Sequence, residues 1–251
     1  MAAWVETSSA NFTARFDEAD GADVRGVLNL LEDTRARLGD IFPALPGEVG
    51  VVLHSSRTEV DVAQPLLPLM RSLTTPAARR YLVGWAGRGS LHVLAPRAQA
   101  KRAASVDGSR EMLALAPAAL YVQLVVAACN PGLPPPWSPR STLRAARWAW
   151  LLAGAAQWFS GQTSHMRPLI ARRLRESARP DFPPRLRDAV LLGGSVVDLL
   201  AREQGTDAVV DLACSRPLAG GAREALLTAF DGRAITHSEG AWRDHLARMA
   251  G

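Results

Sequence analysis

The chain has 251 residues, is 48% hydrophobic and 21% charged, and has a mean hydropathy near zero. That size and balance exclude a disordered polyelectrolyte and a three-domain protein, and no apolar run reaches the ~18 residues that a membrane-spanning helix needs. A chain this long buries roughly 70–75% of its unfolded surface, so its core needs no disulfide or metal to hold it.

Met1–Thr7 carries neither the basic region nor the apolar segment of a secretory signal, and Cys129 and Cys214 lie far apart, as reduced buried thiols would. A cytoplasmic setting is expected. The net charge is +5, yet Lys101 is the only lysine among 29 basic residues. Beside so much alanine, this arginine bias reads as the codon usage of a GC-rich genome. One stretch stands out: Arg167, Arg172, Arg173, Arg175, Arg179, Arg185 and Arg187 face only Glu176 and Asp181. It predicts a solvated helix face or, alternatively, a site for nucleic acid or another anionic partner. Only Phe182 interleaves with these arginines, so the stacking that a single-strand binder uses is missing, and nucleic acid is the less favoured partner.

In chain order, Asn11–Phe16 alternates as a half-buried strand. Asp20–Gly39 places Val24, Val27, Leu28, Leu31 and Leu38 near helical spacing, and Gly39 suits the stop. Val49–His54 is an apolar run of strand length. Thr58–Leu73 predicts a helix interrupted by Pro65 and Pro68. The glycines 84, 87 and 89 predict a turn feeding an edge strand, Ser90–Ala95, that Pro96 ends. Beyond that point the pattern turns helical: Ser109–Cys129 with Pro117 inside or in the first turn, then Ser141–Gly161 after the Asn130–Trp137 loop. Arg167–Arg179, Arg185–Gln204, Asp207–Cys214, Ala222–Phe230 and Ser238–Met249 complete it. Gly193 and Gly194 inside a helix imply close helix packing. Strands first and helices afterwards predict an α+β fold. A small N-terminal mixed sheet region, residues 1–108, would precede a mostly helical region, residues 109–251, the two forming separate lobes or one continuous domain.

Local chemistry is sparse. Of His54, His92, His165, His237 and His245, none is followed by Glu and none has a second His four residues on, so no helical zinc site is legible. The glycine trio precedes a strand, whereas phosphate cradles run from strand to helix N-terminus. Ser195 has no nucleophile elbow. Cys129, ending an apolar helix, reads as core. Chemistry assembled from scattered residues would show as His54 or His92 against a carboxylate in one pocket.

One helix is more specific. Trp150–Phe159 reads W-L-L-A-G-A-A-Q-W-F, and Leu115–Cys129 before it holds no His, Glu or Asp. In this, and in the order of its elements over roughly residues 12–242, the chain resembles the gluzincin zinc metallopeptidases of the peptidase-MA-like type. That family's zinc helix bears H-E-x-x-H, and its next long helix opens W-[LF]-x-E-G-x-A. The match falls on Trp150, Leu151, Gly154 and Ala156, with Ala153 where the third zinc ligand stands. The resemblance implies a metallopeptidase-like lobe without zinc ligands, without a general base and without a cofactor. Without those groups no metal-activated water forms. It implies a pseudo-peptidase, a scaffold that holds a peptide or protein partner in a cleft framed by Tyr81, Trp85, Tyr121, Gln123, Trp150 and Gln157.

Overall fold

The computed structural model describes residues 4–133, 139–176, 179–215 and 221–251. The fold is α+β: a mixed five-stranded sheet in the first hundred residues, then helices. The strands are β1 (Trp4–Ser8), β2 (Phe12–Asp17), β3 (Val49–His54), β4 (Gly84–Ala86) and β5 (Ser90–Leu94), in the spatial order β1-β2-β3-β5-β4. The pairs β2–β3 and β3–β5 are parallel, and the two edge strands run antiparallel to their neighbours. Helix α1 (Gly21–Gly39) makes the crossover that a parallel β2–β3 pair requires. Its Val24, Val27, Leu28, Leu31 and Leu38 are buried in the core that α1 forms with β2 and α7, together with the sheet residues Phe12, Ala14 and Phe16. β1 carries no apolar alternation and is exposed along its whole length, so periodicity gives no sign of it. The glycine-rich stretch is itself the β4–β5 hairpin. There Gly87 N–H donates to the Ser90 carbonyl at 2.8 Å, and Gly89 takes a φ of 72°.

The helices then run α2 (Arg57–Ala63), α3 (Leu66–Leu73), α4 (Pro76–Arg79), α5 (Pro96–Ala100), α6 (Ser109–Ala114), α7 (Ala116–Cys129), α8 (Pro139–Arg147) and α9 (Ala149–Phe159). After them come α10 (Arg167–Arg175), α11 (Leu186–Gln204), α12 (Thr206–Cys214), α13 (Ala222–Ala229) and α14 (Ile235–Ala250). Pro65 separates α2 from α3, whereas Pro68 is accommodated in the first turns of α3. The single helix expected over 109–129 breaks at Leu115, which leaves Pro117 in the first turn of α7, where its missing N–H costs nothing. The one expected over 141–161 breaks at Trp148. Of the loop expected over Asn130–Trp137, residues 134–137 lie outside the described residues.

Helices α9 and α11 run in the same direction, since Gly154 meets Gly193 and Trp158 meets Asp198 further along both. Their backbones touch at the glycines. A Cβ on Gly154 would lie 2.6 Å from the Gly193 carbonyl oxygen, and one on Gly193 would lie 2.7 Å from that of Trp150. The glycine shared with the W-L-x-A-G pattern therefore has a packing reason. One hydrophobic cluster extends from Phe12 to Leu246. Among the described residues, no helix is long and apolar enough to cross a membrane.

Candidate binding cleft

Strand β4 is an edge, and its hydrogen-bonding pattern says which groups face out. Leu94 N–H donates to Val83 and Gly87 N–H to Ser90, so the pairs 83/94, 85/92 and 87/90 are the bonded ones. The backbone polar groups of Gly84 and Ala86 therefore point to the free side of the strand. Under that edge lies an open cavity of about 150 Å³ between β4, α7, α9 and the start of α11. Ala119, Leu120 and Gln123 line it from α7, and Leu152, Ala153 and Ala156 from α9. Gly84 sits so close to α7 that a Cβ there would meet Leu120 Cδ1 at 2.6 Å.

Of the six residues expected to frame a cleft, Tyr81, Trp85, Gln123 and Gln157 line this cavity. Tyr121 and Trp150 do not. Tyr121 is fully buried on Phe12, with its hydroxyl accepting from Arg35 Nη1 at 2.9 Å; burial raises its pKa despite that bond. Trp150 is buried beside Trp148, and among the described residues no protein group accepts from its indole N–H. Tyr121 points to the side of α7 opposite Ala119 and Gln123, whereas Trp150, one and two turns before Ala153 and Gln157 on α9, is packed into the core.

The cavity's polar side chains are mostly spent on the protein itself. Gln157 Nε2 donates to the Val190 carbonyl at 2.5 Å, and its Oε1 accepts from Gly194 N–H at 2.8 Å. One amide thus ties α9 to two backbone groups of α11. Gly194 leaves the room, because a Cβ there would lie 2.7 Å from Gln157 Oε1. Gln162 Nε2 donates to Met112 at 2.6 Å, and the Tyr81 hydroxyl bonds Ser109 at 3.0 Å. Gln123 is half-buried, and its side-chain amide makes no protein hydrogen bond among the described residues.

This donor set does not fit zinc. The lining holds no imidazole, thiolate or carboxylate, and nowhere among the described residues do three such side chains gather. Ala119 and Gln123 stand one turn apart on α7, and Ala153 lines the same cavity from α9.

The histidines answer a different question. His54 Nε2 lies 3.1 Å from His92 Nδ1, and neither bonds a carboxylate. Burial, then the neighbouring His92, lowers the His54 pKa to about 4 against the weaker pull of Glu59; burial lowers His92 too. Instead it is His245 that meets a carboxylate, with Nε2 2.9 Å from Asp198 Oδ2, an approach between α14 and α11 that no sequence spacing signals. Both cysteines are half-buried at the margin of the core rather than fully inside it, and Cys129 Sγ donates to the Ala44 carbonyl at 3.3 Å.

The arginine stretch divides. Arg173 is buried and joined to Asp188 by two bonds, Nε to Oδ1 at 2.8 Å and Nη2 to Oδ2 at 3.0 Å, so it is absent from the surface. Arg167, Arg172, Arg175 and Arg179 are exposed, and Arg185 pairs with Asp181.

No protein-family model and no curated protein matches the chain. Among solved structures it is similar to an M1 zinc metallopeptidase from Deinococcus radiodurans and to a point mutant of that protein. Each match has 15% identity and a TM-score of 0.45 over 98% of this chain. The chain spans about half the length of those structures, 51% and 52%.

Proposed function

We propose that the chain is a non-catalytic binding protein with a metallopeptidase-like fold, a pseudo-peptidase that holds a peptide or a segment of a protein partner along β4. The observation that carries this reading is the composition of one wall. Ala119, Leu120, Gln123 and Ala153 stand together beneath a strand edge whose Gly84 and Ala86 amides are free to pair. Such an edge gives an extended chain main-chain hydrogen bonds, and the apolar cavity gives it a side-chain pocket. At about 150 Å³ the pocket matches the size of engineered cavities that take a benzene ring, so it accepts one aromatic or large aliphatic side chain. Nothing in the wall activates water or accepts its proton. We place the protein in the cytoplasm, with two reduced thiols, and keep residues 1–108 and 109–251 as its two parts.

A displayed random-peptide library, selected on the full chain and counter-selected on Ala153→Phe, tests this. The expected winners share one aromatic or large aliphatic residue at a fixed position and lose binding when the adjoining backbone amides are N-methylated. Recovery that Ala153→Phe leaves unchanged would overturn the cleft. Cleavage of a winning peptide, read by mass spectrometry, would overturn the non-catalytic half of the proposal.

A further inference from the structure

We infer that a second pocket, at the other end of the α9–α11 pair and sharing no residue with the cleft, binds a phosphate group, free or as the monoester of a small molecule. It is open, has a volume of about 480 Å³, and brings together Arg167, Arg202 and Arg248 around Trp158, Ser164, Asp198 and His245. The three arginines come from three helices: the first residue of α10, the last turn of α11 and the last turn of α14.

Each arginine alone has a simple explanation, since a cation at a helix C-terminus is favoured by the helix dipole. That explains Arg202 and Arg248 separately, but it does not explain why both open on one pocket with Arg167, which stands at a helix N-terminus where a cation is disfavoured. Arg167 is held there by α14, whose Met249 carbonyl accepts from its Nε at 3.2 Å. Arg202 is held by Asp198, which accepts from its Nε at 2.8 Å. In both cases the bond uses Nε. Among the described residues no protein acceptor takes the Nη groups of Arg167 or Arg202, or any part of Arg248. Three guanidinium edges with open donors match the oxygens of a tetrahedral dianion, which two of them at once can hold in a bidentate manner.

Asp198 is the only carboxylate in the wall, and it is already occupied. Trp158 Nε1 donates to it at 3.3 Å, Arg202 Nε at 2.8 Å, and His245 stands 2.9 Å away. It therefore positions Arg202 and leaves the pocket net positive. The Ser164 hydroxyl lies on the rim, and the half-buried Trp158 gives an apolar flank on which the organic part of an ester would rest.

Isothermal titration calorimetry on the full chain at low ionic strength, with inorganic phosphate and with ribose 5-phosphate, tests the site. One equivalent of either ligand is expected to bind, more weakly as salt is added. Arg167→Gln and Arg248→Gln should each weaken binding about tenfold, the worth of one charge-assisted contact. Arg172→Gln and Arg175→Gln, exposed on α10 outside the pocket, should change nothing. Tighter binding of the sugar phosphate supports a site for esters, and equal binding supports a site for free phosphate. No heat with either ligand overturns the proposal, as does equal weakening by the Arg172 and Arg175 variants, which would reduce the effect to diffuse surface charge. Should Arg248→Gln lower the melting temperature, Arg248→Lys keeps the charge without the planar fork and still predicts weaker binding.

Discussion

The same two helices, α9 and α11, wall both pockets, and they do so in opposite ways. Toward their N-terminal halves they enclose the cavity beneath β4, where Gln157 and Gln162 turn their amides into neighbouring backbone and leave an apolar lining. Toward their C-terminal ends they border the arginine pocket, where the side-chain bonds consume one nitrogen of a guanidinium and leave the rest facing outward. A residue's name says little about what a pocket binds. What decides it is whether the polar atoms are already partnered inside the protein.

The sharpest way to break the contrast is at the shared wall. Gly193→Ala drives a methyl group into the Trp150 carbonyl and the Gly154 amide, backbone atoms that cannot yield without parting α9 from α11. We expect a loss of about 3 kcal/mol or more in urea unfolding, at the upper end of overpacking costs, with both pockets damaged together. Gly240→Ala is the matched control, because it lies inside α14 with nothing within 4 Å of the new methyl. It should stabilise by up to about 1 kcal/mol.

A smaller change separates the two pockets. Gln157→Leu leaves the Val190 carbonyl and the Gly194 N–H of α11 without the amide that bridges them. Unfolding should become easier by about 2 kcal/mol, the worth of two buried hydrogen bonds. Ribose 5-phosphate binding, measured on the folded variant, should be unchanged. A coupled loss would show that the pockets are not independent.

Acid distinguishes the charged pocket from the sheet. Burial favours the neutral form of Asp198, but the bonds from His245 and Arg202 outweigh it and hold the pKa at about 2 against an ordinary 3.8. A depressed acid pKa gives stability that is complete above about pH 4 and is lost as pH falls toward 2, about 2 kcal/mol for this shift. His54, lowered to about 4 from 6.5, disfavours protonation in the fold, so its share is lost earlier, between pH 6.5 and 4. Stability against pH should therefore fall in two stages. His54→Gln should shrink the earlier stage, to which the buried His92 also contributes, and Asp198→Asn should remove the later; a single stage untouched by either would refute the assignment.

Much of this fold was legible because period and punctuation agree: α1 and β3 follow the apolar pattern, and Gly193 and Gly194 announce close packing. β1 was not, because an exposed edge strand has no buried face to impose alternation. Of the four cavity-lining residues among the six expected, Gln123 and Gln157 lie on the apolar helices α7 and α9, and Tyr81 and Trp85 lie beside or on strand β4 in the glycine- and aromatic-rich stretch. Tyr121 and Trp150 were not separable from them, since both helices are apolar on nearly every side and only tertiary packing says which side is open. The arginine pocket left no local trace. Arg167, Arg202 and Arg248 are brought together by the packing of α10, α11 and α14, while the conspicuous run around Arg173 spends its central member on Asp188.

The smallest expected effect on stability bears most directly on the cleft. Gln123 lines the same cavity as Gln157 but bonds nothing, so its amide holds no part of the fold together. Gln123→Leu should move unfolding by no more than about 0.5 kcal/mol, the range of substitutions that break no buried contact. Its effect on peptide selection should be large by comparison. Unlike the amides of Gln157 and Gln162, that of Gln123 is still free to pair with a bound chain, and replacing it with leucine should shift the winning peptides toward apolar residues at the position beside the anchor. A Gln123→Leu variant that selects the same peptides with the same affinity would mean that the bound chain does not pass α7, and the β4 edge would have to hold it alone.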